Sequence, residues 1–409
     1  MTFAGPSCAD DERARSTGVR MSAIGRLVDR AIPALHAGRM VLVLPNGEVI
    51  ERQGHDKGPD AKLCVHRWRA VWRILADGED GFADAYLDGD WSTPELCHVL
   101  DLLVRNEAAL AQQAGSSRLR RVRNKALHWL RANTRRGSRR NIRKHYDLGN
   151  DFFSPWLDRG MNYSSALYAG EETLEAAQDA KLDRITSLLE LKGGERILEI
   201  GCGWGALAER LLSRFGARIS AITLSTEQLG YARERLGGEV EQGRADFRLL
   251  DYRDVSGEFE RIVSIEMIEA VGENFWPAYF DKLRACLRKG GVAVLQAITI
   301  AEDRFATYRS RPDFIQRYIF PGGMLPTRSI IEQQASRAGL EFVRHEAFGE
   351  SYARTLAEWR TRFLQSWPSI EKLGFNERFR RMWEYYLTYC EVGFRTGVVD
   401  VGFFKLAAR

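Results

Sequence analysis

Residues 197–205 read Ile-Leu-Glu-Ile-Gly-Cys-Gly-Trp-Gly, an apolar run that ends in glycines at alternate positions. Such a run predicts a buried parallel strand stopping at Ile200 and a helix starting near Ala206. Gly201, Gly203 and Gly205 let the main chain turn tightly and let a ligand come where a Cβ would block it. The spacing GxGxG differs from the dinucleotide fingerprint GxGxxG, and no Lys-Ser or Lys-Thr pair is present to make a phosphate loop. Glu199, just before the glycines, suits an adenosyl cofactor that carries an ammonium group. The reading is an S-adenosylmethionine site; the plain alternative is an ordinary strand-to-helix turn.

The ends of the next two strands offer further contacts, because ligands of open α/β sheets lie at the carboxyl ends of the strands. One ends at Thr223, with Gln228 a helical turn on. Both are neutral where most class I methyltransferases carry a carboxylate for the ribose. The other ends at Asp251-Tyr252, a carboxylate for the adenine amino group and a ring to stack on it. Asp251 has a plainer reading as a loop cap.

These positions need a scaffold of alternating strands and helices, and the pattern from about Lys181 supplies one. Strands are expected at 196–200, 218–223, 246–250, 259–265 and 292–300, then at 340–348 and 398–406. Helices are expected at 174–191, 206–215, 226–236, 276–287, 330–338, 356–367 and 377–394. The result is an α/β class I methyltransferase doubly wound sheet with an antiparallel last strand. A smaller N-terminal α+β domain precedes it, with a hairpin over 38–52 turning at Pro45-Asn46-Gly47 and a helix over 93–110. The expected organisation is a partly disordered tail at 1–37, an N-terminal lipid-associated domain at 38–117, a basic linker at 118–144 and a methyltransferase domain at 145–409. An insertion at about 301–327, rich in Phe and Tyr, reads as an acyl groove or as plain core.

The net charge of +5 conceals a strong asymmetry: 12 of the 27 residues from Arg118 to Lys144 are Lys or Arg, and no acid occurs from Ala108 to Tyr146. Leu119, Val122, Ala126 and Leu130 fall at helical spacing, with Trp129 beside them. A basic amphipathic helix of this kind suits an anionic membrane surface; nucleic-acid phosphates and a solvated linker stay open from charge alone. No run of 18 apolar residues exists, and the first 20 residues resemble neither a secretory signal nor a transit peptide. The six cysteines are scattered without CxxC or a His-Cys cluster, so a reducing compartment and no metal site are expected.

Several longer motifs narrow the field. His145-Tyr146-Asp147-Leu148-Gly149-Asn150-Asp151-Phe152-Phe153, Met161-Asn162-Tyr163-Ser164-Ser165-Ala166, the glycine turn, Glu266-Met267-Ile268-Glu269-Ala270-Val271-Gly272 and Tyr318-Ile319-Phe320-Pro321-Gly322-Gly323 follow one another in this order. Over about residues 38–406 the chain resembles the cyclopropane-fatty-acyl-phospholipid synthase family. The resemblance implies methyl transfer from S-adenosylmethionine to the double bond of an unsaturated phospholipid acyl chain. Proton loss from the resulting cation would then close a cyclopropane. It places Tyr163 and Ser164 in a loop over the cofactor. It also implies a bound bicarbonate ion as the base, held by Ser165, Glu269, Gln296, the backbone at Ile298, and Tyr352. Ser165 and Gln296 stand where the bacterial prototype has cysteine and histidine. A base placed differently would take a chain proton instead and leave a methyl-branched alkene or a methylene group. The plainer readings make Glu269 a helix cap and Tyr352 a groove-lining ring.

A nucleic-acid methyltransferase would show Asp/Asn-Pro-Pro-Tyr/Phe after the fourth strand or a Pro-Cys nucleophile, and neither occurs. A lipid carrier with a dead cofactor site fits poorly with the intact glycine turn and Glu269. The expected partners are therefore an anionic phospholipid surface and unsaturated acyl chains, not nucleic acid, with a homodimer left open. The expected location is the cytoplasm, peripheral on the inner membrane face.

Overall fold

The computed structural model describes residues 21–113 and 148–409; the basic segment 118–144 and His145 lie outside them. The chain forms two compact units, residues up to 122 with 375–392, and residues 123–374 with 393–409. The span 145–409 is thus interrupted by a stretch that belongs to the first unit.

The first unit holds a four-stranded sheet of β1 (Ala37–Val43), β2 (Val49–Gln53), β3 (Asp56–Val65) and β4 (Trp91–Ser92) in the order β2-β1-β3-β4. The 38–52 hairpin is present as β1 and β2, paired antiparallel. Residues 23–31, inside the segment read as a tail, form a helix. The expected 93–110 helix breaks at Asn106, whose buried side chain accepts from His36 N–H and donates to Ala37 O. The acid-rich stretch before Trp91 is structural: Asp90 is fully buried and pairs with Arg67, Arg69 and Arg73. Among the described residues no helix is long and apolar enough to cross a membrane. Cys97, Cys202, Cys286 and Cys390 are in the thiol form, while Cys64 is disulfide-bonded, a departure from the fully reduced set expected.

The second unit is a seven-stranded sheet. Its strands are β5 (Arg196–Ile200), β6 (Arg218–Thr223), β7 (Ala245–Leu249), β8 (Phe259–Ile265), β9 (Leu287–Ile300), β10 (Glu341–Ala347) and β11 (Val399–Ala407). Their order is β10-β11-β9-β8-β5-β6-β7. β11 runs antiparallel to both neighbours, and the five strands from β9 to β7 are parallel. This is the doubly wound sheet with an antiparallel last strand expected above. Strands buried on both faces explain the continuous apolar runs. Leu182, Ile185, Leu211 and Ala232 pack on one face, and Tyr279, Leu283, Ile331 and Ala335 on the other. The strand order reverses between β5 and β8, which are adjacent with Ile200 opposite Ser264. Open α/β sheets bind ligands outside the carboxyl ends of the strands at such a reversal.

Candidate active site

The glycine turn leaves β5 with all three glycines in the left-handed region, at φ 82, 51 and 87°. Gly201 and Cys202 N–H both donate to Ile222 O, which ties the turn to the end of β6. A Cβ at Gly203 would meet nothing within 4 Å, so this glycine faces open space. Gly205 caps the helix Ala206–Phe215. Trp204 is buried, and its indole N–H donates to Asn150 of the first motif at 2.7 Å.

Glu199 is 3% exposed, and its Oε2 is buried with no hydrogen-bond partner among the described residues. Burial pushes its pKa up to about 8, against the opposing pull of Lys181. An unpaired buried carboxylate is costly unless a cation reaches it. The ammonium of S-adenosylmethionine is such a cation, and the open space at Gly203 gives that cofactor room, so the residues fit it. Thr223 donates to Gln228 Oε1 at 2.9 Å, and both are buried at the end of β6. Asp251 caps the turn Tyr252–Asp254 and spends both oxygens on the Arg253 guanidinium, at 2.8 and 2.6 Å. That is the loop-cap arrangement. Tyr252 is buried edge-on to Tyr279.

The loop 163–165 lies close by. Tyr163 packs its ring on Phe153 and Trp359. Ser164 O accepts from Gln178, and Ser164 Oγ accepts from Lys181 Nζ at 2.9 Å. Lys181 is a fully buried lysine on the helix Leu174–Leu189; burial lowers its pKa to about 8, opposed by Glu266, Asp158 and Glu199. Its lone charge within an amphipathic pattern reads as an exposed position, which is why the sequence did not single it out.

The second cluster forms where β8 ends. Glu266 accepts three hydrogen bonds: from Ser165 N–H at 2.8 Å and Gln296 Nε2 at 2.7 Å, both on Oε1, and from the Tyr352 hydroxyl at 2.6 Å on Oε2. Glu269 Oε1 accepts from Ile298 N–H at 2.6 Å, and its Oε2 is buried with no partner among the described residues. Burial raises Glu269 to about 8, and the neighbouring Glu266 charge adds to this. Burial also raises Glu266, but the three donors and Lys181 oppose it. Both carboxyls are thus pushed up by burial, Glu266 against three donors and a cation and Glu269 against backbone N–H alone. The Pro321–Met324 stretch closes over this turn, with Met324 N–H donating to Glu269 O.

The structure thus gathers Ser165, Glu269, Gln296, Ile298 and Tyr352 around one point. Two details differ from the expectation. Ser165 contributes its backbone N–H, while its hydroxyl turns to Ala166 O. The centre of the cluster is Glu266, to which the resemblance assigns no role beyond its place in the Glu266–Gly272 motif. The implied bicarbonate does not fit this arrangement, because Ser165, Gln296 and Tyr352 all donate to Glu266. The signal for Glu266 was its φ of 46°, invisible in a sequence and uncommon for a non-glycine residue.

The two clusters meet at the crevice between β5 and β8: a Cβ on Gly201 would sit 3.3 Å from Met267. Residues 133–404 match the family described as mycolic acid cyclopropane synthetase. The chain belongs to the mycolic acid cyclopropane synthetase family. Within this family and its neighbours, the chain is 41% identical over 360 residues to the tuberculostearic acid methyltransferase UfaA1 of Mycobacterium tuberculosis, covering 83% of this chain and 81% of that protein. It is 36% identical over 337 residues to the cyclopropane-fatty-acyl-phospholipid synthase of Escherichia coli, covering 79% and 81%. The solved structure of mycolic acid cyclopropane synthase CmaA1 complexed with SAH and CTAB aligns with a TM-score of 0.62 at 30% identity, covering 66% of this chain and 97% of that one. Membership of the mycolic acid cyclopropane synthetase family makes the chain an S-adenosylmethionine-dependent methyltransferase acting on lipid.

Proposed function

We propose that the chain methylates the double bond of an unsaturated phospholipid acyl chain and closes a cyclopropane by removing a proton. The observation that carries this reading is the pair of carboxylates, Glu266 and Glu269, at the reversal point of the sheet. A base buried beside the glycine turn is what a cation formed from an alkene requires and a simple nitrogen or oxygen acceptor does not.

When bound, S-adenosylmethionine supplies an electrophilic methyl. Glu199 would hold its ammonium and Gly203 would admit its main body, with Thr223, Gln228 and Tyr252 lining the ends of the neighbouring strands. The Pro321–Met324 stretch covers the Glu269 turn and keeps water from it, which protects a cation. The carboxylate cluster then takes the proton. Loss of a proton from the added methyl gives the ring.

A methyl-branched or methylene product is the second reading. The 41% identity to a tuberculostearic acid methyltransferase supports it, as does the replacement of an expected histidine by Gln296. In both readings the basic segment 118–144 brings the chain to an anionic membrane surface from the cytoplasmic side.

The test combines purified protein, labelled S-adenosylmethionine and liposomes of unsaturated anionic phospholipid, followed by mass spectrometry of the acyl chains. The expected result is a gain of one CH2 with loss of the double bond. A gain of CH2 with an alkene retained would select the second reading. Label in RNA, or in no lipid, would overturn both.

A further inference from the structure

The resemblance leaves Glu266 without a role, yet more donors converge on it than on any other group in the cluster described above. We propose that the Glu266 carboxylate is the proton acceptor, built into the chain at the seat expected for bicarbonate, so that turnover needs no bicarbonate. This rests on the proposed function above and deepens it.

Three observations carry it. First, the groups that would hold an exogenous anion are already engaged: Ser165 N–H and Gln296 Nε2 on one oxygen, Tyr352 OH on the other. A second anion there would lack those donors and meet a carboxyl already in their place. Second, the side chain is aimed by its backbone. Glu266 is held in the left-handed region, with its N–H donating to Gln296 O at 2.8 Å. Third, the neighbour that a displaced anion would also contact, Glu269, already has Oε1 on Ile298 N–H. The donors of the cluster therefore already hold one carboxyl, that of residue 266.

The step balances without a further reagent. After methyl transfer the lipid carries a cationic carbon. A C–H bond of the added methyl breaks and its electron pair joins that carbon to the cationic one, closing the ring; in the second reading a C–H bond on a carbon beside the cation breaks and its pair forms C=C. The proton goes to a Glu266 oxygen. The resulting carboxylic acid returns that proton to water once the lipid has left.

The experiment compares wild type with Glu266→Gln and Glu266→Gly, with and without bicarbonate in CO2-stripped buffer. Binding of 13C-labelled bicarbonate is followed separately by NMR. Glycine accepts the left-handed conformation, so Glu266→Gly clears the seat without conformational strain. Wild-type turnover should change by less than about twofold on bicarbonate withdrawal, and Glu266→Gln should lose about 10²–10⁴-fold with cofactor affinity retained. Glu266→Gly should bind labelled bicarbonate that wild type does not, and should regain about tenfold or more in rate when it is added. Bicarbonate-dependent wild-type turnover, saturable bicarbonate binding by wild type, a Glu266→Gln rate near wild type, or a Glu266→Gly protein that neither binds bicarbonate nor responds to it would each overturn the proposal. If wild type methylates no lipid, the proposed function fails, and the binding comparison still decides whether residue 266 fills the anion seat.

Discussion

Two adjacent strands of one sheet end in turns that both enter the left-handed region, and they do so at different expense. After β5 the residues are glycines, which adopt positive φ freely. After β8 the residue is Glu266, at φ 46°, where a non-glycine side chain costs about 1–3 kcal/mol. The first turn needs its side chains out of the way so that a ligand can approach main chain. The second needs a carboxylate at one point and tolerates strain to place it, because three donors and a backbone hydrogen bond hold it there. Backbone clearance and side-chain placement are therefore separable, and substitutions should affect cofactor binding at one turn and chemistry at the other.

The sharpest way to break this contrast is Gly203→Val. A β-branched residue at φ 51° is strained by about 1–3 kcal/mol and fills the open space beside the turn. S-adenosylmethionine affinity should fall on the order of a hundredfold or more, equivalent to about 3 kcal/mol, with the far-UV spectrum unchanged. Calorimetric titration gives the answer; a wild-type Kd would mean that no ligand approaches this glycine.

At the second turn, Tyr352→Phe removes one hydrogen bond to the proposed proton acceptor Glu266 and keeps the ring against Phe394. Hydrogen bonds to charged groups contribute about 1.5–3 kcal/mol, so kcat should drop about 10–100-fold. Cofactor affinity should stay within about twofold. A drop in affinity with unchanged kcat would reverse the assignment of the two turns.

The same contrast explains what the amino-acid sequence reveals. The glycine turn is contiguous, and the strand and helix it joins carry long apolar patterns, so β5, β6 and β8 are readable to the residue. Glu199 is readable too, as a lone acid in an apolar strand. The second cluster draws on residues 165, 266, 269, 296, 298 and 352, which no local pattern connects. Only a family resemblance brought five of them together, and it missed Glu266 because a backbone angle and a donor set identify it. Asp251 shows the converse. Its position at a strand end invites a ligand role, but Arg253, two residues on, claims both its oxygens. The return of residues 375–392 to the first unit was hidden for a related reason: an amphipathic helix does not say which core it completes.

Glu199→Gln is expected to have a smaller effect, and one visible in protons. Burial raises the folded-state pKa of Glu199 to about 8. Its protonation contributes stability that is complete below the unfolded carboxylate value and is lost as pH rises through about 8. Glu269 shares this direction, and Lys181, lowered to about 8, adds stability only above that pH. The cofactor-free protein should thus melt at lower temperature as pH rises from about 5 to 8, and Glu199→Gln should flatten part of that slope. Binding of an ammonium should expel the Glu199 proton. Calorimetry at pH 7 in two buffers of different ionisation heat should register release of up to about one proton for wild type and much less for the variant, with Kd weakened about tenfold. Equal proton release by both would place the ammonium elsewhere.

The smallest effect should come from Ser165→Ala, and it separates backbone from side chain within the second turn itself. The Ser165 N–H holds Glu266, while the hydroxyl donates to Ala166 O. Alanine keeps the first interaction and loses the second. The loss of a buried hydroxyl bond costs about 1 kcal/mol of stability and leaves the Ala166 carbonyl with one donor fewer. In a unit of this size that is roughly 2–4 °C in Tm. Turnover should slow by no more than about threefold, since the donor to Glu266 is main chain. A loss as large as that of Tyr352→Phe would mean that the hydroxyl rotates onto the carboxylate during the reaction. The position would then act through its side chain, as the resemblance to an anion-holding cysteine implies.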